Sequence, residues 1–238
     1  MIRVGVALLL LLIQAPEAVD DIKAAIETTG ASPYAYRVGG RFKREGVFAP
    51  PDVLTARIDG FQSARNGAKI LVKGPEGLWK TPDERIGEQV EGTPADVADK
   101  VTTLREAERP HEMLATLLAE VKAGKGRADG GVFTLSFDPE KVRTYMRKEL
   151  DKAVERRTIP KPDSVSWDTA EGKLVVHVDK AGRIARFRDE RSVSIRYKRA
   201  GEPDEKKRYK TEMEFELFDH GVASINLPAE VKERLGIK

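Results

Sequence analysis

The chain has 238 residues, 40% hydrophobic and 34% charged, enough apolar material for a buried core in one large domain or two small ones. Its 42 Lys and Arg stand against 39 Asp and Glu, and a net charge of only +3 argues against the one-signed surface of a general nucleic-acid binder. With no cysteine it forms no disulfide and offers no thiol for lipid anchoring.

Residues 1–18 differ from the rest: Arg3 supplies a positive start, "VGVALLLLLI" a ten-residue apolar run, and "QAPEA" a small-residue exit ending at Ala18. This reads as a secretory signal peptide. A membrane-spanning helix needs about 20 apolar residues, so residues 19–238 are expected as a single, soluble domain, exported to the periplasm or secreted.

Val19 to Thr29 carries Val19, Ile22, Ala25 and Ile26 at helical spacing, with Asp20 and Asp21 in the first turn, and Gly30 ends it. The period then becomes two: Tyr34, Tyr36, Val38 and Phe42 share one face, opposite Arg37, Arg41 and Lys43. Leu54, Ala56 and Ile58 form the next apolar face; Ala68, Ile70 and Val72 follow the turn "RNG", and a short strand carries Leu78 and Trp79. Thr93 and Pro94 mark a helix start, and a second helix from Pro110 places Met113, Leu114, Leu117, Leu118 and Val121 on one face. Phe133, Leu135 and Phe137 alternate as a strand, after which Asp138 and Pro139 open a helix to Arg157 with Val142, Met146, Leu150 and Val154 as its apolar stripe.

The last eighty residues are expected to form an antiparallel meander. Leu174, Val176 and Val178 alternate up to the turn "DKAGR", then Ala185 and Phe187, then Val193, Ile195 and Tyr197, then Tyr209 to Leu217, with "VASINLP" as a final strand. The run "GRIARFRDERSVSIRYKR" looks basic, but strand parity sets Arg186, Arg188 and Arg196 on a polar face with Glu212, Glu214 and Glu216; Arg196 is expected opposite Glu212 or Glu214. Matched charges of this kind disfavour a phosphate-binding surface, so no nucleic-acid partner is expected. Arg143, Arg147, Lys148 and Lys152 on the Asp138 helix allow at most peripheral membrane contact.

Chemistry-bearing motifs are missing from the sequence: there is no Gly-x-Ser-x-Gly, phosphate loop or His-Glu-x-x-His, and His111, His177 and His220 are scattered and read as turn or surface residues. No enzyme activity, catalytic residue, metal or cofactor is expected. The fold class expected is α+β, a curved antiparallel sheet with helices covering its concave face. Complete cover makes the interior a core; incomplete cover leaves an apolar cavity, for which parity offers Phe42, Ile58, Ile70, Trp79, Leu117, Phe133 and Phe215 as lining.

The order of a leader, a helix, a meander ending in "GLWKTPDE", helices, the "VDKAGRIARF" hairpin and the closing "EFELFDHGVASINLPAEV" resembles the periplasmic lipoprotein-carrier superfamily, the LolA-like carriers and the LppX- and LprG-like lipid-binding proteins. The resemblance implies a half-barrel whose apolar cavity binds an acyl chain of a lipid or lipoprotein, in a carrier or chaperone-like role. The Asp138 helix is longer than in the simplest carriers, and the anchored members' lipidation cysteine is missing. The alternative is an envelope sensor or scaffold that binds another envelope protein through the basic helix or the "VASINLP" edge, without a lipid.

Overall fold

The structure is a computed structural model that describes residues 15–40, 43–75, 77–81, 95–155, 159, 161, 163–198 and 205–237. Its elements run α1 (Ala15–Gly30), β1 (Tyr34–Val38), β2 (Arg44–Ala49), β3 (Val53–Ile58), β4 (Phe61–Asn66), β5 (Lys69–Lys73), β6 (Trp79–Lys80), α2 (Ala95–Arg105), α3 (Pro110–Leu118), β7 (Val121–Asp129), β8 (Val132–Phe137), α4 (Pro139–Glu155), β9 (Ser164–Val178), β10 (Ile184–Lys198), β11 (Glu205–Phe218) and α5 (Ala229–Leu235). All eleven strands join one open antiparallel sheet in the order β6-β5-β4-β3-β2-β1-β11-β10-β9-β8-β7. The α+β class and the curved sheet of a half-barrel are those expected from the sequence. Residues 1–14 of the expected leader, Thr93 and Pro94 lie outside the described residues, while Ala15 to Ala18 open α1 and Ala18 is buried.

Two meanders meet where β1 pairs β11, and Phe187 stacks on Phe215 at that seam with ring centroids 4.3 Å apart. Tyr34, Tyr36, Val38, Leu54, Ala56, Ile58, Phe133, Leu135, Leu174 and Phe187 turn the same way, into one core with Ile22 of α1, Leu104 of α2, Leu114 of α3 and Val142 of α4. These four helices cover one face. The other face carries α5, whose Val231 and Leu235 pack with Leu227 on Ala64 of β4 and Leu71 of β5. Adjacent Leu71 and Val72 are therefore both buried, because β5 is covered on both sides.

Several local expectations are corrected. The "RNG" turn exists, pairing Asn66 with Lys69, but the strand before it is β4, because Asp59 and Gly60, both at positive φ, already turn the chain between Ile58 and Phe61. Ala68 falls in the turn rather than on the apolar face. Val121 starts β7 instead of extending α3, which stops at Leu118. A register irregularity between Ile184 and Arg186 makes Ile184, not Ala185, the buried residue. The segment 222–228 forms no strand: it crosses the outer face as a strap towards α5, so "VASINLP" offers no strand edge to a partner.

The sheet is tightest at Gly46, where Tyr36 crosses over the glycine to donate its hydroxyl proton to the Thr55 carbonyl at 2.8 Å. A Cβ on Gly46 would lie 1.9 Å from that carbonyl oxygen and 2.6 Å from the Tyr36 hydroxyl. The end of α2 is held by two arginines, Arg44 donating to the Thr103 carbonyl and Arg65 to that of Arg105.

His111 is not on the surface: only 8% exposed, its ring packs on Phe48 and against Gly30, and its Nδ1 shares a 2.7 Å hydrogen bond with the Tyr34 hydroxyl. Burial, aided by the positive Arg109, lowers its pKa from 6.5 to about 4. The folded chain thus refuses a proton that the unfolded chain takes up below pH 6.5, so stability falls between pH 6.5 and about 4 and is flat for this group beneath that.

Two outcomes follow. Gly46→Ala is expected to cost about 3 kcal/mol by overpacking against backbone, measured by urea unfolding. Across the window from pH 7 to pH 4, wild type is expected to lose about 3 kcal/mol more than His111→Gln, read as the difference between two urea-unfolding series.

Candidate functional site

The strands β9, β10 and β11 have 15, 15 and 14 residues and extend well past their neighbours: β8 pairs β9 only from Lys173 onward, and β1 pairs β11 only from Phe215 onward. What covers this three-stranded extension is α4. Asp138 caps it, accepting a 2.8 Å hydrogen bond from the Glu140 amide, as the Asp-Pro start implies. Along its apolar stripe Val142 and Met146 are buried, but Leu150 and Val154 only half-buried. The second half of the helix therefore does not seal the sheet.

The gap is an apolar cavity of about 130 Å³ between α4 and the extension. Met146, Leu150 and Ala153 form its roof, and Val193, Ile195, Trp167 and Tyr209 its floor, with Ile159 at the far end. Register explains the floor: Val193 pairs with both Ala170 and Tyr209, and Ile195 with Trp167, so their side chains share the face under α4. Arg147 lies 5.6 Å above the Trp167 ring. Larger depressions of about 480 Å³ and 700 Å³ are different in chemistry, lined by Arg37, Glu45 and Arg57 or by Lys173, Glu190 and Arg208.

Arg191, which the sequence reading missed, is the cross-strand partner of Thr211 and lies outside the cavity lining, beyond the Met146–Thr211 contact. Its side chain is 1% exposed. The Nε donates to both Asp189 oxygens at 2.9 and 3.1 Å, Nη1 lies 2.8 Å from Glu120, and the guanidinium stacks over Phe137 at 4.5 Å and Tyr145 at 4.1 Å. Its strand partner is Gly172, where a Cβ would lie 2.9 Å from the Phe137 ring, so only glycine leaves room for that ring beside the cation. Burial disfavours the Arg191 charge, but the Asp189 and Glu120 carboxylates outweigh it and raise its pKa, while burial raises that of Tyr145. A gap in the alternation was the available signal: Phe187, Val193, Ile195 and Tyr197 face inward, so Asp189 and Arg191 between them must as well.

The outer face of the same strands is an ion-pair ladder. Arg186 reaches Glu216 at 2.8 Å and Glu214 at 3.5 Å; Arg188 meets Glu190 at 2.8 Å and Glu212 at 3.8 Å. Arg196 corrects the expected register. It faces Lys206, because β11 begins at Glu205, four residues before the expected start at Tyr209, and both cations bind Asp168, holding its carboxyl below the usual range.

The cavity residues proposed from parity lie elsewhere. Ile58, Leu117, Phe133 and Phe215 are packed in the main core, and Ile70 lies against it. Trp79 packs with the α5 cluster on the outer face, and Phe42 is outside the described residues. None of the described six lines the cavity under α4. Among the described residues, no helix is long and apolar enough to cross a membrane, and no group of three His, Asp or Glu side chains could hold a metal ion. No family model matches the chain, and a search of curated proteins finds no match.

Arg191→Ala is expected to destabilise the fold by about 3 kcal/mol, since Asp189 and Glu120 would keep their charges without the cation, whereas Arg196→Ala on the exposed ladder is expected to cost under about 1 kcal/mol. Thermal and urea unfolding of both variants measures the contrast.

Proposed function

We propose that this protein is an exported, soluble carrier or chaperone-like protein that binds an acyl chain of a lipid or lipoprotein in the cavity beneath α4, without catalysis. The observation that carries the reading is the chemistry of that cavity: Met146, Leu150, Ala153, Val193, Ile195 and Trp167 wall it, and its volume is about 130 Å³. A dry cavity of about 150 Å³ lined by aliphatic and aromatic groups already accepts a benzene-sized guest. Each methylene transferred from water into such surroundings contributes about 0.8 kcal/mol, so a few buried methylenes give useful affinity with no polar contact. The leader-like N-terminus and the resemblance to lipoprotein carriers point the same way.

The volume sets how much of a chain is enclosed. It accommodates the terminal part of one chain, with the remainder leaving past Ile159 and Trp167, where Arg147 and Glu149 bring polar groups to the exit.

Displacement of a fluorescent fatty acid tests the reading. Wild type is expected to bind the probe, and Val193→Trp, which fills the cavity, to bind at least about tenfold more weakly, a difference of about 1.4 kcal/mol, while still unfolding cooperatively. Wild type that binds no acyl chain of any length would overturn it.

A further inference from the structure

The sheet leaves a long backbone edge open on β11. β1 pairs β11 only from Phe215 to Phe218, and one further bond runs from the Gly39 amide to the Glu214 carbonyl at 2.7 Å. In a strand both backbone groups of a residue point to one side, and the side alternates from residue to residue. The amides and carbonyls of Glu212, Lys210, Arg208 and Lys206 therefore point the same way as those of Glu214. Among the described residues, no backbone group pairs with them. On its other side β11 is fixed, paired with β10 without a register shift from Glu216 to Glu205.

Folded proteins blunt such edges with short strands, proline, bulges or inward charges. The opposite free edge of the extension, on β9, is bulged: Thr169 pairs with Ser194 and Trp167 with Ile195, which leaves Asp168 out of the ladder. β11 has neither proline nor bulge, and its inward charges, Glu205 and Lys207, lie at its start. Beyond them it turns Tyr209, Thr211 and Met213 inward, the last 37% exposed. Outward it presents Lys206, Arg208 and Lys210, all exposed. Lys206 shares Asp168 with Arg196 and Lys210 meets Glu212, but Arg208 meets no carboxylate among the described residues and donates to the Ser192 hydroxyl. The strip beside the open edge is therefore net positive. A second copy of the chain is a poor match for it: pairing β11 antiparallel with itself, clear of the end of β1, sets basic residues of the Lys206 to Lys210 run opposite one another.

We infer that the β11 edge from Lys206 to Glu212 is a docking site for an extended segment of another protein, which adds to the sheet as a further strand. Its apolar side chains turn inward against Tyr209 and Met213, and its acidic ones outward against Lys206, Arg208 and Lys210. Main-chain bonds to the edge hold the segment, and the alternation of apolar and acidic residues selects it. The inference goes beyond the acyl-chain reading and does not depend on it.

The probe is a fluorescently labelled peptide of about nine residues that alternates valine with glutamate, titrated into the intact chain and followed by anisotropy. Wild type is expected to bind it and to slow amide hydrogen exchange at Lys206, Arg208, Lys210 and Glu212. Lys210→Pro removes an edge amide that the β10 ladder does not use, and is expected to bind at least about tenfold more weakly while still unfolding cooperatively. The double variant Arg208→Glu, Lys210→Glu is expected to prefer a peptide alternating valine with lysine; an unchanged preference would overturn the acidic partner. Folded wild type that does not bind the glutamate peptide, binds it without protecting those amides, or binds it equally well after N-methylation of the peptide backbone would overturn the docking site. So would a dimer in sedimentation that Lys210→Pro dissolves, since the edge would then belong to a second copy.

Discussion

A fully buried guanidinium is costly to desolvate, and the architecture around Arg191 is what makes it tolerable. Asp189 on the same strand and Glu120 from the turn after α3 neutralise it, while Phe137 and Tyr145 cover its two faces. These partners belong to β10, the α3–β7 turn, β8 and α4, so one side chain ties four parts of the chain together. Gly172 completes the arrangement by letting Phe137 lie flat on β9. Replacement by apolar residues of similar volume could be as stable; the ion cluster fixes where α4 sits, and with it the position of the gap beyond.

From that anchor the rest of the sheet divides into a packed and an unpacked part. On one side of the Arg191 row, α1, α2 and α3 fill the curved sheet with close-packed Tyr, Phe and Leu side chains. On the other, α4 alone faces three long strands, and its stripe is only half-buried after Met146. One helix cannot cover the width of three strands, so the cavity is a geometric consequence of β9 to β11 outrunning the rest of the sheet. The outer ladder of Arg186, Arg188, Glu212, Glu214 and Glu216 keeps that extension wet on its far side and adds little stability per pair.

Much of this fold could be read from period alone. The inward set Tyr34, Tyr36 and Val38, the set Phe133, Leu135 and Phe137, and the capped helix from Asp138 all follow from alternation and from Asp-Pro punctuation. Long-range pairing could not be read, because nothing local says that β1 lies beside β11. The register of Arg196 failed for a specific reason: charge complementarity predicts Glu opposite Arg, but β11 begins already at Glu205 and sets Lys206 there, and Asp168 on the neighbouring strand supplies the missing negative charge. His111, following Pro110 at a helix start and far from the other histidines, reads as a turn or surface residue; its burial depends on Tyr34 and Phe48, more than sixty residues away in sequence. For the cavity, the apolar residues were all visible, as the Met146 and Leu150 stripe and the Val193 and Ile195 alternation. What could not be seen was that these two sets face one another with space between them.

Native mass spectrometry of the full chain purified from its own host shows whether the cavity under α4 carries an acyl chain. A co-purified adduct with the mass of an acyl-bearing lipid or lipoprotein is expected, lost from Val193→Trp prepared in the same way. Bare wild-type protein, under conditions that preserve adducts of a known lipid-binding protein run alongside, would contradict it.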